Sequence, residues 1–133
     1  MPHADPIEKL SRARYLCLAT FRRSGVAVET PVWFAPHQGR LYVFSEATAG
    51  KVKRLRNDPR ARVAPCNVSG RRRGEWIEAR ASRVESVDVE ATAYRALRAK
   101  YGWQMRTVDA FSRLAGRIDG RAILAIELQE LAP

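Results

Sequence analysis

Groups that do covalent chemistry are scarce in this chain of 133 residues, which has two cysteines and two histidines. Cys17 and Cys66 each fall in an apolar, strand-like segment, so they read as buried thiols of a reducing cytoplasm. Two cysteines make no zinc motif, and neither His37, in a turn, nor His3, near the start, has a ligand partner at useful spacing. No metal is expected. No Ser/His/Asp or Cys/His constellation is visible, and Glu75, Glu78 and Glu85 read as strand-surface charges rather than an acid–base pair. A GxGxxG turn and a run of alternating βαβ units are both missing, which excludes a doubly wound nucleotide fold. No apolar run reaches bilayer length and no signal-peptide core opens the chain, so a soluble, cytoplasmic protein without a membrane partner is expected.

Acidic residues are also in short supply: 14 stand against 24 Lys and Arg, a net charge of +10. With a pI near 10.6, such a chain meets anions, whether phosphate esters, nucleic acid, acidic lipid or a polycarboxylate. Hydrophobic residues make up 46% of the chain, enough apolar surface to offset the entropy of ordering one domain.

The pattern predicts a short helix from Ile7 to Ala13, a strand from Tyr15 to Phe21, a turn over Arg22–Gly25 and a returning strand from Val26 to Phe34. Pro31 lies inside that last strand. Proline cannot donate to a ladder, so an edge or a bulge is expected there. A third strand covers Leu41–Phe44, a basic helix ends at Asp58-Pro59, and further strands cover Ala61–Val68, Trp76–Val84 and Ala122–Leu128. Val87–Tyr101 is the clearest helix, and Val108–Leu114 a second short one. Six short strands joined mostly by tight turns, with helices between them, predict a mainly antiparallel β-barrel with helical insertions, spanning the whole chain as one domain.

The basic helix concentrates Lys51, Lys53, Arg54 and Arg56 in six positions. Val52 and Leu55 share one side of it, and Lys51 and Arg54, three apart, are neighbours on a flank. Thr48 is the expected N-cap, which puts Lys51 in the first turn, where the helix dipole repels a cation. An anion at that spot would reverse the sign, held by free amides, by Ser45 or Thr48, and by Lys51. Spacing alone leaves two readings open: a phosphate seat, or a solvated basic face.

The stretch ARYLCLATFRRSGVAVETPVWFAPHQGRLYVFSEATAGKVKRLRNDPRARVAPCN (Ala13–Asn67), with RALRAKYGW and a closing RAILAIEL, resembles the pyridoxamine 5'-phosphate oxidase-like split-β-barrel superfamily. Within it, the chain resembles the actinobacterial oxidoreductases that use coenzyme F-420, a deazaflavin with a phosphate and a polyglutamate tail. TPVWF and GKVKRLRNDPR are the telling elements. The resemblance implies a homodimer with each cofactor in a groove between subunits. It implies that Ser45, Glu46, Ala47, Thr48, Ala49, Gly50 and Lys51 hold the phosphate with Arg54, and that Thr30, Pro31, Val32 and Trp33 lie along the ring. Lys53, Arg56, Arg22 and Arg23 would then face the tail. FMN has one phosphate and no such tail, so the charge favours the deazaflavin, with FMN or haem as alternatives. The hydride is carried by the cofactor, so a missing catalytic triad suits this chemistry, and no catalytic side chain is assigned.

Trp76 and Trp103 read as core or dimer packing, Trp33 as a wall for the ring, and Tyr101 as packing for the long helix. Arg71–Arg73, between glycines, read as a mobile solvated loop. They also supply the competing hypothesis, a nucleic-acid-binding barrel using these cations on phosphates.

Overall fold

The computed structural model describes residues 6–102, 104 and 120–129. His3, Trp103 and the helix expected over Val108–Leu114 fall outside these residues. A short helix α1 (Pro6–Ser11) leads into β1 (Tyr15–Phe21), β2 (Ala27–Val32), β3 (Phe34–His37) and β4 (Arg40–Glu46). Then come α2 (Gly50–Asn57), β5 (Arg60–Cys66), β6 (Ile77–Arg83), α3 (Val87–Tyr101) and β7 (Arg121–Leu128). Among the described residues no helix is long and apolar enough to cross a membrane.

All pairings are antiparallel, in the order β2-β1-β5-β6-β7-β4-β3. The expected six strands are therefore seven. The difference lies in the segment Val26–Phe34, which breaks at Trp33 and changes partners. Up to Val32 the chain pairs with β1; from Phe34 it pairs with β4. These are the two opposite edges of the sheet, and one residue joins them, so the sheet must curl until its edges meet. The Phe44 amide donates to the Trp33 carbonyl (3.2 Å), which carries the β3–β4 ladder up to the break itself. Trp33 thus marks the split in the barrel.

Pro31 and Pro36 both sit on edge strands, where no ladder donor is missed. Pro65 is on an inner strand, but the β5–β6 pairing ends at Val63, two residues short of it. Leu16, Leu18, Phe34, Leu41, Val63 and Ile126 fill the barrel, and Val52 and Leu55 pin α2 against them. A second cluster forms where Ala93, Leu97 and Tyr101, at four-residue spacing on α3, meet Ala35, Tyr42 and Ile123. The Ser86 hydroxyl accepts from the Val89 amide (3.3 Å) to cap α3. Gly102, at φ +59°, ends it.

Candidate functional site at the barrel seam

A cleft of about 340 Å³ opens where the barrel splits. One wall is Pro31, Val32 and Trp33, from the end of β2; the other is Phe44, Ser45 and Glu46, from the end of β4. Ala49 and Lys51 close it at the start of α2. Two stretches separated in sequence, TPVW and SEATAGK, are therefore brought to one place by the curl of the sheet, although Thr30, Ala47, Thr48 and Gly50 do not line the cleft itself.

Trp33 is held from behind. Its ring stacks on Tyr101 with centroids 4.7 Å apart and planes 13° from parallel. The Tyr101 hydroxyl accepts from the Phe34 amide (3.0 Å) and lies within bonding distance of the Arg14 (2.7 Å) and Phe34 (3.1 Å) carbonyls. Tyr101 does more than pack its helix: it fixes the backbone at the strand break and supports the ring wall. Its hydroxyl is pushed up to about 12, chiefly by burial. Sequence reasoning missed this role, because the spacing of an apolar stripe says nothing about what a buried hydroxyl reaches.

The start of α2 departs from expectation in one respect. The residue at the N-cap is Ala49, with no side-chain cap, and Thr48 is exposed one position early. The Ala49 amide donates to the Glu46 carbonyl (3.1 Å), a turn that delays the helix. The Ala47 amide donates to the Gly120 carbonyl (2.6 Å), tying the loop to the foot of β7. The Ser45 hydroxyl donates to the Glu46 carbonyl (3.1 Å). No side chain therefore covers the first amides of α2, which lack intrahelical partners.

Cations gather there instead. Lys51 is half-buried, and its ammonium is held below its usual range by burial and then by Arg54, with Glu46 pulling the other way. Burial and Arg22 likewise lower Arg54, which stays charged. The Arg54 Nε donates to the fully buried Thr20 hydroxyl (2.6 Å), and its guanidinium lies over Gly50. The two ion pairs found among the described residues, Arg60–Asp58 and Arg62–Glu78, involve neither Lys51 nor Arg54. The Thr30 hydroxyl is buried without a partner on the neighbouring strand. Uncapped amides and the half-buried Lys51 ammonium, offset in part by Glu46, fit a phosphate-bearing group, and the ring-walled cleft beside them fits a planar one.

Arg54 does not line this cleft, although it is three residues from Lys51. It turns to a second groove of about 460 Å³, shared with Arg22, Arg23 and Lys53 beside Phe21. Arg56 is exposed and lines neither. Among the described residues no group of three or more His, Cys, Asp or Glu could hold a metal. Cys17, pushed up to about 12 chiefly by burial, and Cys66, also raised by burial, are protonated and inert at neutral pH.

The fold matches that of a conserved hypothetical protein from Mycobacterium tuberculosis, with a TM-score of 0.72 and 21% identity over 98% of this chain and 82% of that one. It also matches the haem storage protein HutZ from Vibrio cholerae (TM-score 0.71, 16% identity, 98% and 93% coverage). An F420 reductase matches with a TM-score of 0.61 and 16% identity over 98% of this chain and 97% of that one. No curated protein matches by sequence. The sequence model of the pyridoxamine 5'-phosphate oxidase family covers residues 7–132, nearly the whole chain. By that match, and by the split barrel it folds into, the chain belongs to the pyridoxamine 5'-phosphate oxidase family.

Proposed function

We propose that the protein is an oxidoreductase that holds coenzyme F-420 at the barrel seam and passes hydride to an unsaturated or oxidised small molecule. The observation that carries this reading is the pairing of a ring-walled cleft with the half-buried Lys51 ammonium at the uncapped start of α2. Lys51 and the first amides of α2 hold the phosphate, with the Thr30 hydroxyl as a further donor. Pro31, Val32 and Trp33 lie along the ring, and Tyr101 keeps Trp33 in place. When bound, the deazaflavin supplies the hydride; the protein orients it and excludes water from one face of it. The second groove, with Arg22, Arg23, Lys53 and Arg54, favours a cofactor with a polyanionic tail over FMN. The protein works as a homodimer in the cytoplasm, a partner subunit covering the open side of the cleft.

The likeness to a haem storage protein supports a second reading, a split barrel that binds FMN or haem. The visible spectrum and the mass of the retained ligand, after separate incubation with F-420, FMN and haem, decide between the two. Retention of F-420 is expected. Retention of FMN or haem alone would leave the fold and remove the deazaflavin. Light scattering with and without cofactor tests the dimer, which a monomer binding F-420 normally would refute.

A further inference from the structure

A different cleft, of about 500 Å³, lies between the linker that follows α1 and the loop that follows β5. Its apolar walls are Ala13, Pro65 and Val68, and its polar lining is Arg14, Tyr15, Asn67 and Arg73, with Cys66 at the base. No acidic residue lines it. The loop that supplies Arg73 is solvated as expected, with Arg71, Arg72 and Arg73 all exposed, but its backbone is tied down by hydrogen bonds. The Asn67 side-chain oxygen accepts from the Ser69 amide (3.0 Å), the Ser69 hydroxyl (2.6 Å) and the Arg71 amide (2.9 Å). The Arg73 amide donates to the Pro65 carbonyl (2.7 Å), and Arg72 forms a bridge with Cys66. Arg73 is thus positioned by backbone bonds while its guanidinium has no ion-pair partner among the described residues.

The chemistry of the lining has one sign. With its oxygen taken three times, Asn67 has its amide nitrogen left to offer, and that group donates. The guanidinium groups only donate, and Tyr15 has a hydroxyl to donate. Arg14 lies over the Tyr101 ring (5.0 Å to its centroid) and donates from Nη2 to Gln104 and from Nη1 to the Lys100 carbonyl (3.5 Å), which steadies it against the end of α3 and leaves it its remaining N–H groups. A cleft with apolar sides, a lining rich in donors and no carboxylate selects an anion with an apolar body. The open fork of Arg73, with the remaining N–H groups of Arg14 opposite, can meet a planar carboxylate, and the apolar walls suit its organic body. The volume falls in the range of small-molecule sites. We infer that this cleft is a binding site for a small organic carboxylate, seated between Arg14 and Arg73. It shares no lining residue with the cleft at Lys51, although Arg14 and Trp33 lie against the same Tyr101 ring, and it does not depend on which cofactor that cleft takes.

The test uses benzoate and its neutral isostere benzamide on the full-length protein without cofactor, followed by ligand-observed NMR and calorimetry. Benzoate should bind and benzamide should bind at least tenfold more weakly. Arg73→Gln should weaken benzoate about tenfold, the scale of one lost charge-assisted pair, and Arg73→Lys should restore part of it. Lys51→Ala should leave benzoate binding unchanged. The inference is overturned if benzamide binds as well as benzoate, if Arg73→Gln has no effect, or if neither probe binds at millimolar concentration. Loss of benzoate binding in Lys51→Ala would also overturn it, since the anion would then occupy the seam cleft.

Discussion

Gly50 holds open the room that Arg54 occupies. A Cβ there would fall 2.7 Å from the Arg54 Nη1, a distance real contacts do not reach, so the guanidinium would have to move. What yields is the end of a flexible side chain, and alanine is a better helix former than glycine. Gly50→Ala should therefore leave the thermal midpoint unchanged or raised while weakening F-420 binding several-fold, read by parallel melts and titrations. A lower midpoint would mean that the glycine serves the backbone rather than Arg54. The same logic separates two lysines of α2. Lys51 is half-buried at the seam; Lys53 is exposed in the second groove. Lys51→Ala should cost about 1.5–3 kcal/mol of F-420 binding, the scale of a hydrogen bond to a charged group. The empty protein should be as stable or slightly more so, because a buried cation at a helix start is removed. Lys53→Ala should cost much less, and only when the tail is present. Both changes remove one positive charge, so equal effects in titrations with full-length and tail-trimmed cofactor would reduce the cluster to a basic face.

At the scale of elements, the sequence was most readable where one period governs a long segment. α3 runs over the residues its apolar spacing predicts because it buries one regular face, and β1 matches because a run of strand formers is buried on both faces between its turn signals. The break at Trp33 was not readable. Its cause is the Tyr101 hydroxyl and the Phe44 amide, both far away in the chain, and a local pattern carries no trace of them. The resemblance pointed to TPVW and SEATAGK, and the sheet brings parts of both to one cleft, whereas the turn of Arg54 toward Thr20 was not legible, since helical spacing put it beside Lys51. The last turn of α3 also carries a pH dependence. The Lys100 ammonium lies 3.4 Å from the centre of the Phe34 ring without a hydrogen-bond partner, near Arg14. Burial, and then Arg14, bring it from 10.5 down to about 8. Between those two values the unfolded chain holds the proton more fully than the folded one, so this group makes stability rise with pH from about 8 upward. Cys17 and Tyr101, raised from 9.0 and 10.0 to about 12, act in the opposite sense at higher pH. The gain is therefore cleanest between pH 8 and 9. Lys100→Met should raise the midpoint at pH 7 and flatten its rise across that window. An unchanged slope in thermal melts would show that Lys100 reaches water when charged.

Over the whole molecule the net charge of +10 acts at a range that single contacts do not. Its consequence differs for the two candidate cofactors. In the proposed mode FMN and F-420 would both offer a phosphate to Lys51, a short and partly buried contact that salt would screen little. Only F-420 extends a chain of carboxylates, which would run along Arg22, Arg23, Lys53 and Arg54, where the groups are largely exposed. Contacts of that kind fade once the Debye length falls toward the spacing of the charges, about 10 Å at 0.1 M salt and about 3 Å at 1 M. F-420 should therefore bind at least about tenfold tighter than FMN at low salt, and the ratio should shrink as salt rises. Trimming the tail should remove most of the salt dependence without abolishing binding, because the seat at α2 remains. Fluorescence titrations of the three ligands at low and high salt measure all of this together. If full-length and trimmed cofactor lost affinity in parallel, the second groove would be no tail site, and its cations would act only through the average charge of the protein.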